Sequence, residues 1–306
     1  MVSKWLKWPV FVELTEIYTA PLNVLWFILG AATSQFLYKT YDFWNVLLCL
    51  ICVFIFDLAV NVADNYFDYL HANDEEFKQT VNPLGRLKLP IAGVRNLTIV
   101  LFVISVIPGA LLLWRVGPTL IVFGLIGYLI GIFYTAGSKP INATPFAELI
   151  VALSISFFIQ LTCVFISIHG VVPFTLGVIG KTFLIALPQT LIFYSLQLAN
   201  NTVDLDEDIK NDRHTLPYFI GKKHSFQLIK VLIAIGIVWP IINILLGLSP
   251  LVVILSCLSF FPIRKGSHPF FTNPDKKTTY LPFIKSNSLF FILYTLLYAI
   301  GTWLHL

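Results

Sequence analysis

The chain carries repeated apolar runs, most of them about 20 residues long, the length a helix needs to cross a lipid bilayer. Nine such runs fall at 17–37, 43–66, 96–115, 117–135, 147–169, 174–200, 226–247, 249–263 and 286–305. The eighth is short, and reads either as a re-entrant segment or as a continuation of the seventh. Of the 306 residues, 57% are hydrophobic and only 12% are charged, against about 25% charged in a soluble domain. Too few polar side chains remain to cover a water-facing surface. The expected fold is therefore all-α and polytopic, with about nine transmembrane helices in a single membrane-embedded domain over 1–306.

Other features narrow the class. The opening MVSKWLKWPVFVELTEIYTAP lacks the short apolar core and small-residue cleavage site of a signal peptide, so the first run is expected to stay as a membrane helix. The net charge is +4, and no basic stripe with interleaved aromatics marks a nucleic-acid interface. Cys49, Cys52, Cys163 and Cys257 all lie in apolar runs. Cys49 and Cys52 form a CxxC, but a zinc site needs a second ligand pair, so reduced buried thiols are expected. With the N-terminus in the cytoplasm, 17 of the 20 basic residues fall on the cytoplasmic side, and only Lys39, Arg115 and Lys181 fall opposite. That bias sets the orientation of a protein in the cell membrane.

The acids are placed just as unevenly. Of 16, six lie between Asp57 and Glu76 and five between Asp204 and Asp212. Both windows fall at the cytoplasmic ends of even-numbered runs. In the first, DLAVNVADNYFDYLHAND, the residues Asp57, Asn61, Asp64 and Asp68 are spaced by four, three and four, so they share one helix face, with Asn65 beside them. Ionisable groups inside an apolar span are costly to bury and mark functional cavities. A solvated helix end accounts for Asp74, Glu75 and Glu76, but not for Asp57 and Asn61. Asp57 alone fits either a functional site or a hydrogen bond to a neighbouring helix.

The second window reads LQLANNTVDLDEDIKNDRHTLPYFIGKK. Asp204 and Asp208 share a face, Asn200 and Asn201 lie one turn earlier, and Asp206 and Glu207 point elsewhere. Carboxylates crowded this closely repel unless a cation compensates. Hard oxygen donors suit Mg²⁺, which bridges one or two carboxylates to a substrate phosphate. The two windows are therefore expected to hold Mg²⁺ through Asp64, Asn65, Asp68, Asp204 and Asp208 around one diphosphate. Arg86, Lys139 and Arg213 follow as cations for that diphosphate, with Asn61 and Asn200 as polar contacts. Lys222, Lys223, Lys276 and Lys277 read as topology signals and lipid headgroup contacts.

These residues resemble the UbiA superfamily of intramembrane prenyltransferases over nearly the whole length. The family's first motif, a pattern like NxxxDxxD, falls on Asn61, Asp64, Asn65 and Asp68, with the Asp-Asn order reversed here. Its second, DxxxD, falls on Asp204 and Asp208. Within the superfamily the chain looks most like the dihydroxynaphthoate polyprenyltransferase (MenA) branch. That resemblance rests on Asn200, Asn201, Asp204, Asp208, Arg213, His214, Thr215, Leu216 and Gly221, and on Tyr134, Thr135, Gly137, Pro140 and Glu148. Val203 and Asp212 depart from that branch's arginine and glycine.

The resemblance implies helices around a central cavity open to lipid. It implies a catalytic set of Asp64, Asp68, Asp204 and Asp208, and Mg²⁺ as cofactor. Its partners would be a polyprenyl diphosphate, an aromatic acceptor and membrane lipid. Asp206, Glu148 and His214 are candidates for the base. Two alternatives remain at this point: transfer to another acceptor such as 4-hydroxybenzoate, and a membrane transporter, whose intramembrane acids usually lie near the midplane.

Overall fold

The computed structural model describes residues 5–305, which form helices and turns with no strand among them. Helices cover all nine expected runs. Six are long and apolar enough to cross a membrane: Phe43–His71, Ile91–Val116, Ala147–Ile168, Leu176–Val203, Leu216–Leu245 and Tyr280–Leu304. Pro21–Tyr38 has 18 residues and Leu120–Thr135 has 16. The eighth run becomes a 3₁₀ segment, Leu251–Ser259, that leads into the α-helix Phe260–Thr272. None of the four cysteines forms a disulfide among the described residues.

The chain divides into two compact units. One comprises Met1–Val24, Leu47–Thr144 and Glu207–Arg213; the other comprises Leu25–Val46, Pro145–Asp206 and His214–Leu306.

The first unit holds α1 (Trp8–Thr15) and most of α3 (Phe43–His71), while most of α2 (Pro21–Tyr38) belongs to the second. A π-turn (Phe77–Val81) and α4 (Pro83–Arg86) then lead to α5 (Ile91–Val116) and α6 (Leu120–Thr135). The core joins Leu14 of α1 to Leu58, Ala59 and Val62 of α3, to Leu84 of α4 and to Val94 and Leu101 of α5. A helix leaves its last carbonyls without partners, and α1 is too short to hide them. Two amides of the acidic stripe close that gap: Asn61 donates to the Thr15 carbonyl at 3.0 Å and Asn65 to the Leu14 carbonyl at 3.2 Å. Asn82 caps α4 at the Leu84 amide and donates to the Asn65 carbonyl at 2.9 Å. Gly85 lets α4 lie against the π-turn, because a Cβ there would overlap the Lys78 carbonyl.

The second unit is built on α9 (Leu176–Val203) and α11 (Leu216–Leu245), with α7 (Ala147–Ala152), α8 (Ile159–Ile168), α12 (Phe260–Thr272) and α13 (Tyr280–Leu304); α10 is Leu205–Lys210. Its core includes Trp26, Phe193, Phe290, Phe291, Tyr294 and Tyr298. Pro188 lies inside α9 and has no amide hydrogen for the carbonyl of Leu184. Trp239 and Asn243 of α11 supply what is missing, donating to that carbonyl at 3.1 and 3.0 Å. Neighbouring side chains of this kind are what make proline tolerable in a membrane helix. Asn243→Leu removes one of these donors and its contact to the Tyr294 hydroxyl. It should cost about 1 kcal/mol, read as a lower unfolding temperature in detergent with α-helical content unchanged. A second backbone break falls at Gly221, whose φ of 74° interrupts α11 and suits only glycine without strain.

Candidate active site

The stripe on α3 is satisfied residue by residue within the first unit. Asp57 accepts from Asn23 at 3.0 Å, the neighbouring-helix bond that was one of its two readings. Asp64 accepts from Asn142 at 3.1 Å, a residue of the short 3₁₀ turn Ile141–Ala143 after α6. Asp68 lies 3.9 Å from the Arg213 guanidinium.

The same guanidinium reaches the second motif. Its Nε is 3.4 Å from Asp208, whose side chain is only 6% exposed, and its terminal nitrogen donates to the Asn142 carbonyl at 3.4 Å. Arg213 is held there by the backbone: Asp212 adopts a left-handed φ of 57°, and the Arg213 amide donates to the Asp208 carbonyl at 2.9 Å. Asn211 accepts from the amides of Asn73 and Asp74, which docks residues 207–213 at the end of α3. Burial alone would lower the Arg213 pKa, but Asp68, then Asp208, Asp64 and Tyr134, outweigh it and raise it. The guanidinium thus stays charged and compensates acids of both motifs.

In the second unit, Asp204 pairs with Lys276 and the exposed Asp206 with Lys222 at 2.7 Å. These two lysines therefore do more than mark topology. Asn201 donates to the buried Glu148 at 2.9 Å, and Asn200 donates to the Asn201 side chain at 3.4 Å. His214 packs edge-on against Tyr218. Among the expected diphosphate cations, Arg86 is engaged by Glu13, while Lys139 is exposed and has no ion pair among the described residues.

Beside Asp68 a cavity of about 270 Å³ opens. Its polar wall is Glu13, Glu16, Tyr18, Asn65, Asp68 and Asn82, and its apolar wall is Phe77, Val81 and Pro83. Glu16 closes the end of α1 in a left-handed conformation, φ 47° and ψ 34°. Burial, then the negative charges of Asp64 and Asp57, raise its pKa from the ordinary value. Sequence reading passed over Glu13, Glu16 and Asn142. Glu13 and Glu16 stand just before the first apolar run, outside both acidic windows, so the clustering that exposed the motifs gave them no weight. Asn142 carries no spacing signal at all.

Among the described residues, no three Asp, Glu, His or Cys side chains converge as they stand to hold a metal ion unaided. Mg²⁺ asks for less, because it takes one or two carboxylates and fills its octahedron with water and phosphate oxygens. The acids around Arg213 are hard oxygen donors that already require a counter-charge, so the donor chemistry fits.

Comparison with known proteins gives the family. The model of the UbiA prenyltransferase family matches residues 21–294. A 1,4-dihydroxy-2-naphthoate octaprenyltransferase of Bacillus subtilis is 25% identical over 243 residues, 77% of this chain and 73% of the relative. A protein of the same name from Mycobacterium leprae is 25% identical over 228 residues, 74% of each chain. The structure of a UbiA homologue from Archaeoglobus fulgidus bound to DMAPP and Mg²⁺ superposes with a TM-score of 0.59 at 13% identity, covering 95% of this chain and 99% of that one. With its apolar helices and a match that spans most of its length, the chain is an integral membrane protein belonging to the UbiA prenyltransferase family.

Proposed function

We propose that this protein transfers a polyprenyl group from polyprenyl diphosphate to 1,4-dihydroxy-2-naphthoate, with loss of CO₂, to give demethylmenaquinol, the reduced form of demethylmenaquinone, for menaquinone biosynthesis. Two relatives of that name, each aligned over most of its length, support the acceptor. The observation that carries the site is Arg213, whose guanidinium joins Asp68 of the first acidic motif to Asp208 of the second.

Asp64, Asp68, Asp204 and Asp208 are the residues that would hold Mg²⁺, with the Asn65 side-chain oxygen Oδ1 as a further donor. Mg²⁺ bound there supplies a counter-charge for the departing diphosphate. Arg213 holds its charge beside the same acids, where fixed cations stabilise charge as it develops. Arg86 and Lys139 add to it, and Asn61 and Asn200 complete the polar contacts. The C1–O bond of the donor breaks, and its electron pair leaves with the diphosphate. The ring carbon bearing the carboxylate forms the new bond to C1. CO₂ then leaves, and the pair of the broken C–C bond returns to the ring. Exclusion of water protects the allylic centre from hydrolysis. The basic-residue bias supports a cytoplasmic side for this chemistry and for the N-terminus.

The test is prenyl transfer by purified protein in lipid, with and without Mg²⁺. Metal-dependent prenylated product with matching release of CO₂ and pyrophosphate is the expected result. Transfer only to another aromatic acceptor would overturn the substrate and keep the reaction class. No transfer to any acceptor would favour a transporter.

A further inference from the structure

We infer that the acceptor's ring hydroxyl binds in the cavity at the end of α1, where the Glu16 carboxylate accepts its hydrogen bond. The inference rests on the transferase reading and deepens it by naming a specificity-determining residue.

The first argument is the state of the lining groups. Asn65 donates to the carbonyls of Leu14 and Asn61, and Asn82 to that of Asn65. Both amides are therefore committed. Glu13 is paired with Arg86 and Asp68 with Arg213. Glu16 differs: among the described residues its carboxylate has no hydrogen-bond or ion-pair partner, although it is partly buried. The charges that act on it, those of Asp64 and Asp57, are both negative. Glu16 is only partly buried, so its carboxylate is free to receive a donor entering the cavity, and the cavity's own side-chain amides do not supply one.

The second argument is placement. Glu16 follows directly on Leu14 and Thr15, the two residues whose carbonyls Asn65 and Asn61 hold. The stripe that carries Asp64 and Asp68 thus also fixes the backbone that presents Glu16. A left-handed non-glycine residue costs about 1–2 kcal/mol, and here the surrounding bonds hold it in place.

The third argument is the fit. About 270 Å³ lies just below the range of roughly 300–1,000 Å³ usual for small-molecule sites. That is room for a bicyclic ring but not for a polyprenyl chain. Phe77, Val81 and Pro83 offer apolar surface to such a ring, and Glu16 takes its O–H. The O–H···O⁻ bond pushes electron density into the ring that must attack C1.

The test crosses enzyme with ligand. Wild type, Glu16→Gln and Glu16→Ala are each assayed with 1,4-dihydroxy-2-naphthoate and with its two monomethyl ethers. Binding of each compound is also measured by protein fluorescence quenching, without diphosphate or Mg²⁺. In wild type, methylating the engaged hydroxyl should weaken binding and kcat/KM by about 10–100-fold, the worth of a hydrogen bond to a charged group. In Glu16→Ala that penalty should vanish, with the acceptor KM raised and the polyprenyl diphosphate KM unchanged. Glu16→Gln keeps a carbonyl oxygen and should fall between. An equal methylation penalty in wild type and Glu16→Ala overturns the inference. So does a change in the diphosphate KM alone, or a wild type that binds no acceptor. A wild type that binds with this discrimination yet forms no prenylated product would leave the hydroxyl site standing and overturn the transferase reading instead.

Discussion

Asp208→Ala should lower prenyl transfer by about 10²–10³-fold while the protein still inserts and folds. Asp208 is the most buried acid paired with Arg213, at 6% side-chain exposure. Removing it deletes one oxygen-donor group for the cation and leaves Arg213 compensating only the acids of the first motif, Asp68 and Asp64. The loss should fall on kcat and on the diphosphate KM, and added Mg²⁺ should recover only part of it. Asp206→Ala is the matched control. It lies two residues away in the same motif, but its side chain is 82% exposed and pairs with Lys222. Exposed pairs of that kind contribute about 0–1 kcal/mol, so transfer should stay within about twofold of wild type. Equal activity in the two variants would remove Asp208 from the site.

The contrast between Asp206 and Asp208 was legible from spacing alone, because four residues bring two side chains to one helix face and two residues do not. The α3 stripe was legible for the same reason. What spacing does not encode is the partner. Asp57 meets Asn23 across 34 positions, and Asp64 meets Asn142 across 78. Nothing in either local sequence announces those bonds. Arg213 was legible as a cation near the second motif, but its reach to Asp68 depends on the left-handed turn at Asp212, a residue that spacing treats as filler.

Hydropathy located the helices and misjudged their ends. The seventh run was expected at 226–247, yet α11 begins at Leu216, because its first turns carry Lys222, Lys223 and His224. The eighth run ends by hydropathy at 263, while α12 continues through Arg264, Lys265 and His268 to Thr272. Charged residues on a helix that continues past its apolar stretch are invisible to a scale that averages apolarity. Lys276 was misread for a related reason: a loop lysine looks like a topology signal until its pairing with Asp204 is seen.

Replacing Arg213 by Gln should make the protein's stability depend on divalent metal. In wild type the guanidinium is 29% exposed and faces Asp68 and Asp208 at 3.9 and 3.4 Å. Glutamine keeps some hydrogen bonding and removes the charge, leaving carboxylates of two motifs without their shared cation. Removing one member of a buried ion pair costs about 3–5 kcal/mol, and the partial exposure of Arg213 puts the expected loss at the lower end of that range. Without metal, the variant should therefore unfold at a lower temperature than wild type. Millimolar Mg²⁺ should then stabilise the variant more than wild type, since the ion meets acids that no guanidinium occupies. Arg213→Lys keeps a charge and should fall between the two. The measurement is thermal unfolding in detergent, with chelator and with Mg²⁺, and it needs no substrate. If Arg213→Gln lost stability but gained no more from Mg²⁺ than wild type does, Arg213 would be a structural tie of the 207–213 segment, and the metal would have to bind elsewhere. A larger Mg²⁺ gain in the variant would mean that guanidinium and metal neutralise the same group of acids.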